Sequence, residues 1–136
     1  MALHKTMSSF VAIGVGCRAG ASGETIAMLI RRTLRTYDAP QGERRMFTLA
    51  EKAQEPGLVE AARLLGAPLA GLPLHALEGE ADRILTPSPA ARARFGAPNV
   101  AEAAALAGAG AGARLLGPRL AEGGATCAVA LSGGDS

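Results

Sequence analysis

The chain has 136 residues, of which 49% are hydrophobic and 19% charged, with 14 basic residues against 12 acidic. That length suits one compact domain, and the apolar share is large enough to build a core without disulfides. A net charge of +2, an aromatic content of 3% and no Trp speak against a nucleic-acid surface, which relies on a basic field and stacking rings, and no apolar run reaches the roughly 18 residues of a membrane span.

Ser8–Val15 predicts a buried strand, because Phe10, Val11, Ala12 and Ile13 are consecutive apolar residues, the pattern of a strand covered on both faces. Lys5, the apolar Phe10–Gly16 and Cys17 together imitate a lipoprotein export signal. The stretch is short and contains two glycines, so a strand entering a turn explains it better. Gly14–Gly20 is that turn. Ser22 is a helix N-cap and Glu24 suits the positive end of the helix that follows. This helix runs to about Tyr37, with Ile26, Leu29, Ile30, Leu34 and Tyr37 on one stripe. Arg31, Arg32 and Arg35 fall mainly off the stripe and read as a solvated face.

Asp38–Gly42 is a loop, Arg45–Leu49 a second strand and Glu51–Glu55 a charged connection. Pro56 opens the next helix, Leu58, Ala61, Ala62 and Leu65 form its buried face, and Gly66 caps it. Pro68–Leu72 is a short strand and Pro73–Glu78 a short helix. Thr86-Pro87-Ser88-Pro89 is a rigid turn in which Ser88 caps a helix with Pro89 at its first position. Asn99 followed by Glu102 resembles a capping box opening a helix over Val100–Ala107. Gly108–Gly112 reads as a loop, Arg114–Leu116 and Thr126–Leu131 as the last strands, and Ser132–Ser136 as a frayed end. The alternation predicts a single three-layer α/β/α domain over residues 1–136, with a core of about 8–131 and flexible ends. Its sheet is mixed and mostly parallel, with the strand around Phe10–Gly14 at the centre.

Gly14–Ser22 is the most informative stretch. A buried strand delivers a glycine-rich turn that opens a helix, where free backbone N–H groups and the helix dipole favour anions. Arg18 adds a planar donor suited to carboxylate or phosphate. A tight structural turn without a ligand is the competing reading. Gly14, Gly16 and Ala19 also fit a dinucleotide fingerprint, but Asp38, the acid it needs, sits in a loop before the second strand. Cys17 lies near a helix start and beside Arg18, conditions that lower a thiol pKa. A nucleophile needs a base, and the chain has only His4 and His75. Cys127 reads as core. Glu51, Lys52 and Glu55 are either a solvated connection or a second rim of the site. Ligand and cysteine spacings predict no protein-held metal and no disulfide, hence free thiols in a reducing cytoplasm.

The string also resembles one known family. Gly14-Val15-Gly16-Cys17-Arg18, Gly20 and Glu24-Thr25-Ile26 are similar to the opening motif of the family of CobE and the CbiG C-terminal domain. Glu51-Lys52-Ala53, Glu55-Pro56-Gly57-Leu58, Thr86-Pro87-Ser88-Pro89, Val100–Leu106 and Thr126–Ala130 follow in order, from about Phe10 to Leu131. Two departures stand out: Ala19 replaces a second basic residue, and Arg119 stands where lysine is common. The resemblance implies a role in cobalamin biosynthesis, acting on or binding polycarboxylate corrin-ring precursors. CbiG-like proteins open a precorrin δ-lactone, whereas the stand-alone CobE-like form belongs to the aerobic pathway. Three functions follow as expectations: a corrinoid-binding protein without chemistry, a lactone hydrolase, or a nucleotide-binding module. The substrate-binding candidates are Gly14, Gly16, Cys17, Arg18, Ser22, Lys52, Glu55 and Ser88, with no catalytic residue assigned. No cofactor is expected, and the partners are a precorrin intermediate and other cobalamin-pathway enzymes.

Overall fold

In the computed structural model, residues 9–87 and 99–133 are described. Val11–Cys17 forms strand β1, and the chain then builds outward on both sides of it. Gly23–Thr36 is helix α1, Arg44–Leu49 is β2, and Ala50–Lys52 is one 3₁₀ turn. Pro56–Leu65 is α2, Leu69–Leu72 is β3 and Leu74–Glu78 is α3. Val100–Ala109 is α4, followed by β4 (Arg114–Leu115), β5 (Leu120–Glu122) and β6 (Ala125–Leu131). The sheet order is β3-β2-β1-β6-β4, with β5 pairing β6. The first strand is central, as its unbroken apolar run requires.

The two faces of β1 are built differently. Val11, Ile13 and Val15 face α1 and α2, packing with Ile26, Leu29, Ile30, Leu58 and Ala61. Ala12 faces the other way, onto Ala101, Ala104 and Ala105 of α4, in a layer shared with Ala128 and Ala130. One face is filled by branched side chains, while the other is small residue on small residue. That lets α4 approach the sheet closely. Gly14 marks the closest point, where an added Cβ would overlap the carbonyl oxygen of Ala101 and the backbone of Ala105.

A mixed three-layer α/β/α sheet is found, but its expected parallel majority is not. Only β1–β2 and β2–β3 are parallel; β6 runs antiparallel to β1, β4 and β5. Parallel neighbours need a crossover such as α1 or α2, whereas β5 and β6 are joined by a turn too short for anything but reversal. Strand β5 is absent from the sequence reading. Gly123 and Gly124, both with positive φ, join Glu122 to Ala125 in a two-residue hairpin. A Gly-Gly pair is the established signal for such a turn. Helix α4 also runs two residues further than expected, to Ala109, and Gly108 in its last turn lies against the Phe47 ring with no room for a side chain. Among the described residues no helix is long and apolar enough to cross a membrane.

Candidate functional site

The carboxyl end of β1 is where helix starts gather. Ser22 caps α1, its Oγ accepting from the Thr25 N–H at 3.1 Å, and it also donates to Thr25 Oγ1 at 2.9 Å. The start of α2 touches the same turn, for a Cβ on Gly57 would overlap the carbonyl oxygen of Ala21. The start of α4 is beside it as well, since Gly16 lies against the Val100 side chain. Each of these helix ends carries free N–H groups and partial positive charge.

Cationic side chains stand on this rim. Arg18 is exposed. Its backbone N–H donates to Gly124 O at 2.9 Å, its methylenes pass over Gly124, and its guanidinium makes no ion pair among the described residues. Lys52 and Glu55 come in from the β2–α2 connection, 3.5 Å apart and largely buried. Glu55 Oε2 also accepts from the Gly20 N–H at 3.0 Å. That bond, with the nearby Lys52, holds the Glu55 carboxyl below the usual carboxylate range. The glycine turn and the charged connection therefore form one wall rather than a site and a separate solvated patch.

Cys17 ends β1 against this wall. Burial pushes its thiol above the ordinary value; Lys52 pulls it down and Glu55 up by smaller amounts. Removal from water thus outweighs the nearby cation, so the conditions that would lower a thiol pKa at this position do not prevail. Among the described residues no histidine acts on it, His75 being exposed on α3; His4 lies outside the described residues. Cys127 is fully buried with its thiol pushed up to about 12 by desolvation, so it is core. Both cysteines are free.

Gly14 departs from its expected place. It is buried beneath α4, so its missing side chain admits a helix and not a ligand. Gly16, one step nearer the strand end, is half-buried. Asp38 lies beyond the last turn of α1, at the other end of the sheet, so the dinucleotide fingerprint is not assembled. Ser88 lies outside the described residues.

One cluster was not read as such in the sequence. Asn99 Oδ1 accepts from the Glu102 N–H at 3.0 Å, the expected half of a capping box. The other half fails, because the Glu102 side chain turns away from Asn99. Fully buried, it accepts from the N–H groups of Leu85 (2.8 Å), Thr86 (3.0 Å) and Arg119 (2.9 Å). Thr86 O in turn accepts from Asn99 Nδ2 at 2.7 Å and from an Arg119 guanidinium N–H at 3.1 Å. One side chain thus ties two loops to the start of α4. The available signal was a lone acid in an alanine-rich first turn.

Residues 11–130 match the family model described as cobalamin synthesis G C-terminus. The chain is 34% identical over 119 residues to protein CobE of Sinorhizobium sp., covering 87% of this chain and 77% of that protein. The crystal structure of CobE, a protein from the cobalamin (vitamin B12) biosynthetic pathway, superposes with a TM-score of 0.83 at 36% identity, over 90% of both chains. The cobalamin biosynthesis protein chiG from Agrobacterium tumefaciens str. C58 superposes with a TM-score of 0.66 at 37% identity, over 88% of this chain and 96% of that one.

Proposed function

Because this chain belongs to the cobalamin synthesis G C-terminus family of cobalamin biosynthesis proteins, we propose that it binds a polycarboxylate corrin-ring precursor of the aerobic pathway at the carboxyl end of β1, without chemistry of its own. The observation that carries this reading is the meeting of the α1, α2 and α4 starts beside Arg18 and Lys52. Converging N–H dipoles and a free guanidinium suit a ligand edged with carboxylates. Gly16 makes room at the strand end for Thr126 and the Val100 start of α4, Cys17 offers a neutral thiol contact, and Ser22, Glu55 and Glu102 hold the surrounding loops in place. Binding without turnover is favoured over lactone hydrolysis because burial holds the Cys17 thiol in its neutral form and, among the described residues, no histidine acts on it. Two free thiols agree with a cytoplasmic setting among the other pathway enzymes.

The test is incubation of the purified chain with a series of corrinoid intermediates, followed by absorbance and mass. A spectral shift with unchanged ligand mass is expected, and conversion to an opened lactone would replace binding with catalysis. Arg18 is exposed in the free chain, so its bond to a ligand carboxylate falls at the low end of charged hydrogen bonds, about 1.5 kcal/mol. Arg18→Ala should then weaken binding about 10-fold with little change in stability. Equal affinities for the two proteins would remove Arg18 from the site.

A further inference from the structure

The opposite end of the sheet carries a second basic feature that the corrinoid reading does not use. Between the last turns of α1 and the start of β2 lies a pocket of about 400 Å³, lined by Arg31, Arg35, Asp38, Gln41 and Arg44 among others. Arg44 opens β2 and pairs in register with Val11, the first residue of β1, which sets this pocket a strand length away from Arg18. From it we infer a separate binding site for a small dianion bearing phosphate or paired carboxylate groups.

The charge balance comes first. Three guanidinium groups face one carboxylate around the pocket, leaving two positive charges in excess. Elsewhere in the described chain four arginines find acids: Arg32 pairs with Glu122, Arg45 with Glu43, Arg63 with Glu60 and Arg83 with Glu80, while Arg18, Arg114 and Arg119 stand apart from one another without an ion pair. Arg31, Arg35 and Arg44 make no ion pair among the described residues. The second observation is an unmet donor. Arg44 Nε is buried and has no hydrogen-bond partner. A buried donor left unpaired is costly, and folded proteins rarely keep one without a ligand, water or ion to meet it.

Arginines near a helix C-terminus also complement its dipole, which accounts for Arg35. It does not account for Arg44, which arrives from a different element. Arg31 and Arg35 are one turn apart on α1, and Arg44 closes the third side, so an oxyanion placed between them would meet planar donors from two elements. The volume falls within the range of small-molecule sites. Asp38 is the one opposing charge on the lining, and it holds the left-handed turn after α1, with φ of 51°, a conformation that Asp and Asn tolerate better than most residues.

The experiment follows the amide resonances of Arg35, Asp38, Gln41 and Arg44 in the full chain during titration with inorganic phosphate and, separately, with succinate at constant ionic strength. Saturable shifts are expected, and the tighter probe identifies the ligand as a phosphate ester or a dicarboxylate. The double variant Arg31→Ala/Arg35→Ala should weaken binding 10-fold or more. Asp38→Asn keeps the turn and removes the opposing charge, so it should tighten binding about three-fold. Arg18→Ala should leave these shifts unchanged, which separates this site from the corrinoid site. Absence of saturable shifts with both probes, or affinities in the two pocket variants equal to wild type, would overturn the inference.

Discussion

Cys17 shows how a residue's chemistry depends on which neighbour wins. Its sequence position beside Arg18 and a helix start suggests an easily ionised thiol, yet burial at the strand end raises its pKa instead. The two charged groups acting on it pull in opposite directions and can be separated. Lys52→Gln removes the group that favours thiolate, so the pKa should rise further and alkylation at fixed pH should slow. Glu55→Gln removes the group that opposes thiolate and can still accept from Gly20, so the pKa should fall and alkylation quicken. The pH dependence of the iodoacetamide rate reads both, with Cys127 silent in its desolvated strand. Identical profiles in all three proteins would mean that Lys52 and Glu55 do not face the thiol. Glu102 makes the same point for polar residues. Its place in a first turn suggested a cap, but its burial and its three backbone partners came from loops far along the chain.

At the scale of elements, the two β1-flanking layers have different tolerances. Gly14 supports α4 by having no side chain, while Gly20 serves a turn with φ of 88° and open space around it. Gly14→Ala must displace backbone that cannot swing aside, so it should cost about 3 kcal/mol or more. Gly20→Ala meets only the left-handed backbone penalty, about 1 kcal/mol. Urea denaturation of the two variants measures the contrast, and a larger loss at Gly20 would contradict the close approach of α4. Most element boundaries could be read directly. Ser22 and Glu24 mark the start of α1, Pro56 and Gly66 bracket α2, and Asn99 precedes α4, because caps act through bonds only a few residues long. Strand β5 has three residues and weak periodicity. Only its Gly-Gly turn could have revealed it.

For the whole molecule, the decisive feature is the late entry of β6 beside β1. The last strand pairs along all seven residues of the first, and it also carries β4 and β5. The N-terminal half therefore cannot complete its sheet until the C-terminal end has been made. A chain ending at Gly124 should lose cooperative unfolding altogether, because the central strand would have an open edge and both faces would lose Cys127, Val129, Ala128 and Ala130. Circular dichroism through a thermal scan decides this. A sigmoidal melt in the truncated chain would show that β1, β2 and β3 with their helices fold alone.

By itself the sequence determined the local and the compositional: the buried first strand, the capped helices, the glycine turn with Arg18, and five ordered motifs that led to the family. These depend on neighbours within a few residues or on residue identity, which survive without coordinates. Tertiary structure decided what depends on distance in space. It placed Gly14 under a helix rather than at a ligand, turned β6 against the parallel strands, joined Lys52 and Glu55 to the glycine turn, and buried Glu102 between two loops. The physical reason is the same in each case. Helix caps and turns are satisfied by short-range bonds, whereas burial, desolvation and sheet direction are settled only when distant segments compete for the same volume.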